Sequence, residues 1–587
     1  MKPRSERLRI KLTRRKLALT AAVAAMALIM TSLPNVVPST AAWLRSEWVA
    51  APIGVVDCAT SSGQFKTRGE GKLVSGGLLG FNLDILAEAK GMLVTNNGFV
   101  ATANPSTAAS AGVDAYANPL SVTALSAVDV DLGGGILQLP LNNSVGVLNQ
   151  YGLAASGGTS IGASGFVSDS GAVATATANG YPELGSLNLF SLVSALNPTV
   201  AGTLGNVTDV SLDIGAVAGR ARLDGCQEAF TGPNATNVTR DYLAAGLATT
   251  VHSPTVGALV TAIRGTVTDL QTAVNGIESN AEVKTAIQNG VTGLLAPVLG
   301  TLSIASIDPT VSATVDLTAV DAFLTQPFGD TAGIVSVSPS LGTVSVNLAA
   351  LLGTAYPGVY SGQLNGLAPN THLLVDSVVV TALTAALGQA LDGWIATAQI
   401  KLDEALAAVQ VTSTVLITVN LLVGTASLTA SVSGSLEALQ AGTVPATVTG
   451  DTVLLADLVA PLENGFGAVV GTAVNGALAP AAVIGSTVTS LLPPIVTAIG
   501  GVFTELYLNG IVTLDINAQN DPPVGNNAEP VDWATLPAGR YDVAAVRVGI
   551  LDVVASNNVR LYLGRGSVGT NCVIGGLRDQ SALCASY

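Results

Sequence analysis

Val207-Thr-Asp-Val-Ser-Leu-Asp-Ile214 alternates apolar and polar side chains. That is the period of a strand with one face buried. Ser126-Ala-Val-Asp-Val-Asp-Leu132 repeats the pattern. Working outward, short runs rich in β-branched residues at 92–95, 122–132, 136–141 and 207–218 are bounded by Gly, Asn and Pro, so residues 54–235 read as an all-β region, a sandwich. Strand text returns at 540–548 and 559–563, beyond a loop rich in Pro and Asn at 517–532. Chain ends are often spatial neighbours, so these last strands are expected to rejoin the first β region.

Between them the text changes period. Apolar residues take helical spacing at 244–298, 378–409 and 468–506, and strand text follows each, at 313–317, 415–421 and 511–516. This predicts three helix-then-strand units, an imprecise repeat. The fold class expected is therefore mainly β with helical segments, α+β. A β-rich domain at 43–235 would be completed by strands from 521–587 around a mixed insertion at 236–520. Residues 465–504 carry no charge, but Asn475-Gly476, Pro480 and Leu492-Pro-Pro494 interrupt them. A buried helix pair is expected there rather than a membrane hairpin.

The N-terminus reads differently again. Eight basic side chains in residues 1–16 precede an uncharged run at 17–30, and Pro34, Pro38 and the small residues Ser39, Thr40, Ala41 and Ala42 follow. This is a signal-peptide pattern for residues 1–42, with cleavage at Ala41 or Ala42. The run is too short to span a bilayer, which takes about 20 residues. Arg14-Arg15 raises a twin-arginine route, but the flanking Lys16 and Ala18 suit it poorly. A secreted or extracellular location follows, with cell-wall association open and no integral membrane segment after cleavage.

Without that leader the chain keeps sixteen basic against thirty-eight acidic side chains, a net charge of −22. Lys and Arg are absent from 91–219, 285–400 and 402–539. Nucleic-acid binding needs basic side chains against phosphates, and is excluded as a partner class. An electrostatic hold on anionic polymers is disfavoured for the same reason. Apolar residues at 49% and a mean hydropathy of +0.54 predict a folded chain. Cys58, Cys226, Cys572 and Cys584 are an even set in an exported chain, so two disulfides are expected. The favoured pairs are Cys572 with Cys584 and Cys58 with Cys226, among three possible connectivities.

Ser46-Glu-Trp-Val49, Arg68-Gly-Glu-Gly71, Leu78-Leu-Gly80 with Asp84, Leu93-Val-Thr-Asn96, Asn149-Gln-Tyr151 and Leu563-Gly-Arg-Gly-Ser-Val-Gly569 stand in an order that resembles the choice-of-anchor G family of actinobacterial surface proteins. The resemblance implies an exported protein held at, or released from, the envelope, with no catalytic residues to carry over. The ending Cys584-Ala-Ser-Tyr587 has no sorting motif, and Leu536-Pro-Ala-Gly539 reads as a turn. A non-enzymatic structural or adhesive role is therefore expected, with cell-wall or other surface components as partners.

Three chemistries were weighed against it. Gly158-Thr-Ser-Ile-Gly162 matches the nucleophile-elbow pattern, with Ser160 as nucleophile, His252 or His372 as base, and Asp213 or Asp224 as acid. The stretch lacks helical spacing, so a chance match in Gly-rich text is the favoured reading. Asp515-Ile-Asn-Ala-Gln-Asn-Asp521 offers oxygen ligands for calcium but no EF-hand order. Carbohydrate binding lacks the aromatic faces it usually uses, since Trp43, Trp48, Trp394 and Trp533 are scattered. No cofactor or metal site is expected.

Overall fold

A computed structural model describes residues 65–79, 81–85, 91–120, 136–138, 148–173, 184–204, 207–232, 234–373, 375–523, 526–551, 559–573 and 580–585. The leader, its cleavage site at Ala41 or Ala42, Cys58 and the strand expected at 122–132 lie outside the described residues. The structure is α+β, with four antiparallel sheets.

Two of the sheets form the β-rich part. The N-terminal region supplies β1 (Phe65–Leu78), β2 (Met92–Asn97), β3 (Ala101–Asn104), β4 (Ala109–Gly112), β5 (Ala115–Ala117), β6 (Leu148–Ala154), β7 (Thr159–Phe166), β8 (Val217–Asp224) and β9 (Val238–Ala244). The C-terminal region supplies β10 (Val512–Gln519), β11 (Tyr541–Ile550) and β12 (Val559–Val568). A nine-stranded sheet runs from Thr371–His372 through β10, β11, β12, β1, β2 and β3, with two short strands added beside β1. A six-stranded sheet runs β9, β8, β7, β6, β5, β4. The last strands thus rejoin the first, as their alternation and position led one to expect: β1 pairs directly with β12, Gly69 opposite Val568 and Gly71 opposite Gly566.

The two sheets meet through glycine. A Cβ on Gly71 would lie 1.9 Å from the carbonyl oxygen of Ala163, and one on Gly162 would lie 2.2 Å from the oxygens of both Glu70 and Ser567. Likewise a Cβ on Gly219 would fall 2.0 Å from the oxygen of Gly564. Sheets usually pack about 10 Å apart on interdigitated side chains. Here β1 and β12 meet β7 and β8 backbone against backbone, an approach only residues without a Cβ permit.

The segment between folds around the other two sheets. A four-stranded sheet pairs Ser303–Thr314, Gln410–Asn420, Thr425–Ser435 and Thr447–Gly450 in that order. Helices Pro254–Gly276, Ala281–Leu295, Ser377–Ala407, Ala456–Leu478 and Leu492–Phe503 accompany it. The first buries Val256, Leu259, Val260, Ile263, Val267, Leu270 and Val274, the single stripe its helical spacing implies. Asp376 and Asn280 cap two of the others by accepting from backbone N–H groups. Helix-then-strand order holds for the first two units, whose strands pair with each other, but the first strand is Ser303–Thr314 rather than 313–317, where Leu317 already caps the helix Thr318–Thr325. The third leads instead into β10 of the nine-stranded sheet.

Within 465–504 lie most of the helix Ala456–Leu478 and all of Leu492–Phe503, each with one buried face. Two helical stretches, Ser377–Ala407 and Ala456–Ala482, are long and apolar enough to cross a membrane by length and composition alone.

Three expectations are corrected. Residues 54–235 are not all β: Leu189–Leu196, Pro198–Thr203 and Gly225–Thr231 are helical. The helix expected from 244 starts at Pro254, because Leu247–His252 is claimed as a strand between Asp209–Ile214 and Thr343–Asn347. Pairing across a sheet overrides local spacing. Nor does a boundary fall at 235, since β8 and β9 form an antiparallel pair across it.

Candidate functional site

Side chains alternate along a strand, so the contact that requires Gly69 and Gly71 on one face of β1 sends Arg68, Glu70 and Lys72 to the other. On β12, Gly564 and Gly566 face the second sheet, and Arg565 and Ser567 face away with them. Register aligns Glu70 with Ser567, and Ser567 with Asp542 of β11. Arg540, at the end of a turn through Gly539, precedes β11. Leu536-Pro-Ala-Gly539 is that turn, closed by Arg540 N–H donating to the oxygen of Pro537.

The result is a network of ion pairs on the outer face of the nine-stranded sheet. Glu70 pairs with Arg68 and with Lys72, whose Nζ lies 3.1 Å from Glu70 Oε1 and 3.2 Å from Asp84 Oδ1. Asp542, wholly buried, accepts from both Nε and Nη2 of Arg565. Arg540 Nε donates to Asp542 Oδ1 at 3.2 Å and to Ser567 Oγ at 3.3 Å, and Arg68 Nη1 donates to Ser567 Oγ at 3.0 Å.

Burial alone raises a carboxyl's pKa. For Glu70 that effect is overcome by Arg68, Lys72, Arg565 and Arg540, which bring it down to about 2. Asp542 is held well below the usual carboxylate range, burial being outweighed by Arg565 and Arg540. Burial opposes the charge of Arg565, but Asp542 and Glu70 outweigh it and raise its pKa.

Over the network lies the loop carrying Asp532 and Trp533. The Trp533 ring stacks on Tyr562 at 4.4 Å between centroids, and the Arg565 guanidinium sits 5.2 Å from its centre. Tyr562 donates to Asp532 Oδ1 at 2.7 Å. Between loop and sheet an open polar cavity of about 310 Å³ is left, lined chiefly by Arg68, Glu70, Lys72, Asp84, Arg540 and Arg565. Such a site can exchange charge-assisted hydrogen bonds with a small polar ligand.

None of these residues was singled out for chemistry from the sequence, although Arg68-Gly-Glu-Gly71 and Leu563-Gly-Arg-Gly-Ser567 stood out as motifs. One signal pointed here. Ten of the sixteen basic residues outside the leader lie in 45–90 and 540–578, and those two ends fold together.

The residues proposed for a hydrolase are dispersed. Ser160 lies inside β7, wholly buried, where its Oγ accepts from Asn571 Nδ2 at 2.8 Å. The strand-turn-helix setting of an elbow is not there. His252 bonds Thr208 Oγ1 and the oxygen of Leu341, and His372 bonds Asp515. Asp213 accepts from Ser211 and Thr250, while Asp224 caps the helix Gly225–Thr231. Gly162, which completed the motif match, is needed for the sheet contact.

The stretch Asp515–Asp521, weighed for calcium and favoured as a solvated turn, is for the most part strand. Asp515 lies within β10, bound to Arg547 and His372, and among the described residues no three His, Cys, Asp or Glu side chains gather as metal ligands. Trp394 and Trp533 are buried, each stacked on another ring. Cys572 and Cys584 form the expected disulfide. Cys226 is also disulfide-bonded, and its expected partner Cys58 lies outside the described residues.

Fold and site together define an α+β protein in which the two ends of the chain build a glycine-packed pair of sheets with an ion-pair cavity on the outer face. The chain belongs to the family described as Domain of unknown function (DUF8394), whose model matches residues 69–569 and so takes in β12 and β1 from Gly69 onward. No curated protein and no solved structure matches it.

Proposed function

We propose that the chain is an exported, non-enzymatic protein of the cell envelope or extracellular space, structural or adhesive in role and of the choice-of-anchor G kind. The observation that carries this reading is the use made of the motif strands. One face of β1 and β12 is spent on a backbone contact and the other on ion pairs. The one nucleophile motif in the text is buried inside a strand away from both histidines. The leader pattern at 1–42 supports export.

Fractionation with N-terminal sequencing tests it. The expected product starts near residue 42 or 43 and is recovered from the medium or the wall without detergent; a cytoplasmic chain with its leader intact overturns the reading. Labelling of Ser160 by a fluorophosphonate probe would reinstate the hydrolase.

A second reading, a glycan-binding surface module, is favoured by the cavity on the nine-stranded sheet, whose lining is polar and charged. Calcium has no comparable support.

A further inference from the structure

The cations of the cavity are not equally committed. Glu70 is taken up by Arg68 and Lys72, and Asp542 by two N–H groups of Arg565. Arg540 is left with single bonds from Nε at 3.2 and 3.3 Å and a 3.5 Å contact from Nη2 to Glu70. Among the described residues no hydrogen bond engages its Nη1. It is also the most exposed of the four basic side chains, at 21% against 17% for Arg68, 13% for Lys72 and 8% for Arg565. A guanidinium with an unengaged edge in a partly desolvated cavity is a donor for a planar carboxylate.

The rest of the lining narrows the ligand. Asp84, one-third exposed, and Asp532 add carboxylate oxygens able to accept from hydroxyl groups. Among the lining residues described, the apolar part is Leu536 with the rings of Trp533 and Tyr562, which are largely taken up by stacking on each other. A peptide terminus would bring an apolar side chain with little to bury against. A compact molecule with one carboxylate and several hydroxyls satisfies donors and acceptors together, and about 310 Å³ is at the lower end of small-ligand cavities.

We infer that this cavity binds the uronic acid unit of an acidic glycan, with Arg540 holding its carboxylate and Asp84 and Asp532 accepting from its hydroxyls. The inference rests on the glycan-binding reading and names the sugar class. It also departs from the expectation that charge disfavours all anionic partners. The net charge of the chain is acidic, but four of its cations line this one cavity, where a single carboxylate can meet Arg540 at short range.

Calorimetric titration of the leader-free chain with glucuronate, glucose and acetate tests it. Glucuronate is expected to bind, and glucose and acetate at equal concentration to bind at least about tenfold more weakly, since a charge-assisted bond and several hydroxyl bonds are each needed. Arg540→Gln should weaken glucuronate at least about tenfold. Arg540→Lys, which keeps the charge but loses the fork, should fall between. Arg264→Gln, an exposed change of equal charge on the helix Pro254–Gly276, should leave binding unaltered. Glucose binding as tightly as glucuronate would overturn the carboxylate inference while leaving a glycan module standing. Absence of binding by both sugars would remove the inference and the glycan reading together. Equal weakening by Arg540→Gln and Arg264→Gln would overturn the assignment to the cavity.

Discussion

Two buried glutamates show how little a residue's identity says about its charge. Glu70 sits among four cations and stays ionised down to a pH of about 2. Glu228, on the helix Gly225–Thr231, has no cation against it among the described residues: Tyr541 donates to its Oε1 at 3.1 Å, Oε2 finds no partner among them, and burial outweighs that bond to raise its pKa to about 7. The linkage signs are opposite. Because the folded pKa of Glu70 is depressed from 4.5, the stability it contributes is present above that value and lost as pH falls towards about 2. Because that of Glu228 is raised from 4.5, its contribution is present below 4.5 and lost as pH rises through about 7. The melting temperature of the native chain should therefore fall from about pH 5 to about pH 8, and Glu228→Gln should shrink that fall. An unchanged difference would mean that Glu228 is not the group responsible. Neither residue's state was legible in the sequence: Arg68 and Lys72 flank Glu70 on its own strand, but Arg540, Arg565 and the burial come from the far end of the chain, as does the Tyr541 that meets Glu228.

At the scale of elements, glycine has two unlike roles. Gly162 stands where a Cβ would meet two carbonyl oxygens at 2.2 Å, and neither strand can withdraw without breaking its ladder. Gly388, inside the helix Ser377–Ala407, has no heavy atom within 4 Å of a Cβ position. Gly162→Ala should thus destabilise by about 3 kcal/mol or more, at or beyond the upper end of ordinary overpacking. Gly388→Ala should stabilise by roughly 0.5–1 kcal/mol through helix propensity. Urea denaturation of the two variants checks this, and a mild effect at Gly162 would mean the sheets are free to separate. Strand and helix periods were readable from sequence for Ser377–Ala407, Gln410–Asn420 and β10 to β12, but β1 and the Gly-rich β6 and β7 carry too little alternation to show. The strand Leu247–His252 was not, because what makes it a strand is a pair of partners on either side.

Across the whole molecule, the ends depend on each other. β1 has β12 on one side and β2 on the other, so β1 cannot complete its sheet until the last strands of the chain are present. Such long-range pairing folds slowly. Deleting residues 536–587 should leave a chain without a cooperative transition in urea, since it removes β11, β12 and the disulfide Cys572–Cys584 at once. A sharp transition in the truncated chain would show that the insertion carries its own stability and that the ends are accessory. The hairpin tip at Leu422 and Val423, fully exposed, should tolerate a protease nick with the transition preserved.

By itself the sequence determined the strand text of β10 to β12, the helical stripes of the insertion, the return of the last strands and the concentration of positive charge at both ends. These are properties of spacing and composition, and spacing states which residues share a face. Only the tertiary structure decided what each face meets. It set the glycines of Arg68-Gly-Glu-Gly71 against carbonyl oxygens of a second sheet, turned the charges between them into a cavity, and buried Ser160 where its motif suggested exposure. The contacts responsible join residues up to about five hundred positions apart, and no local pattern records them.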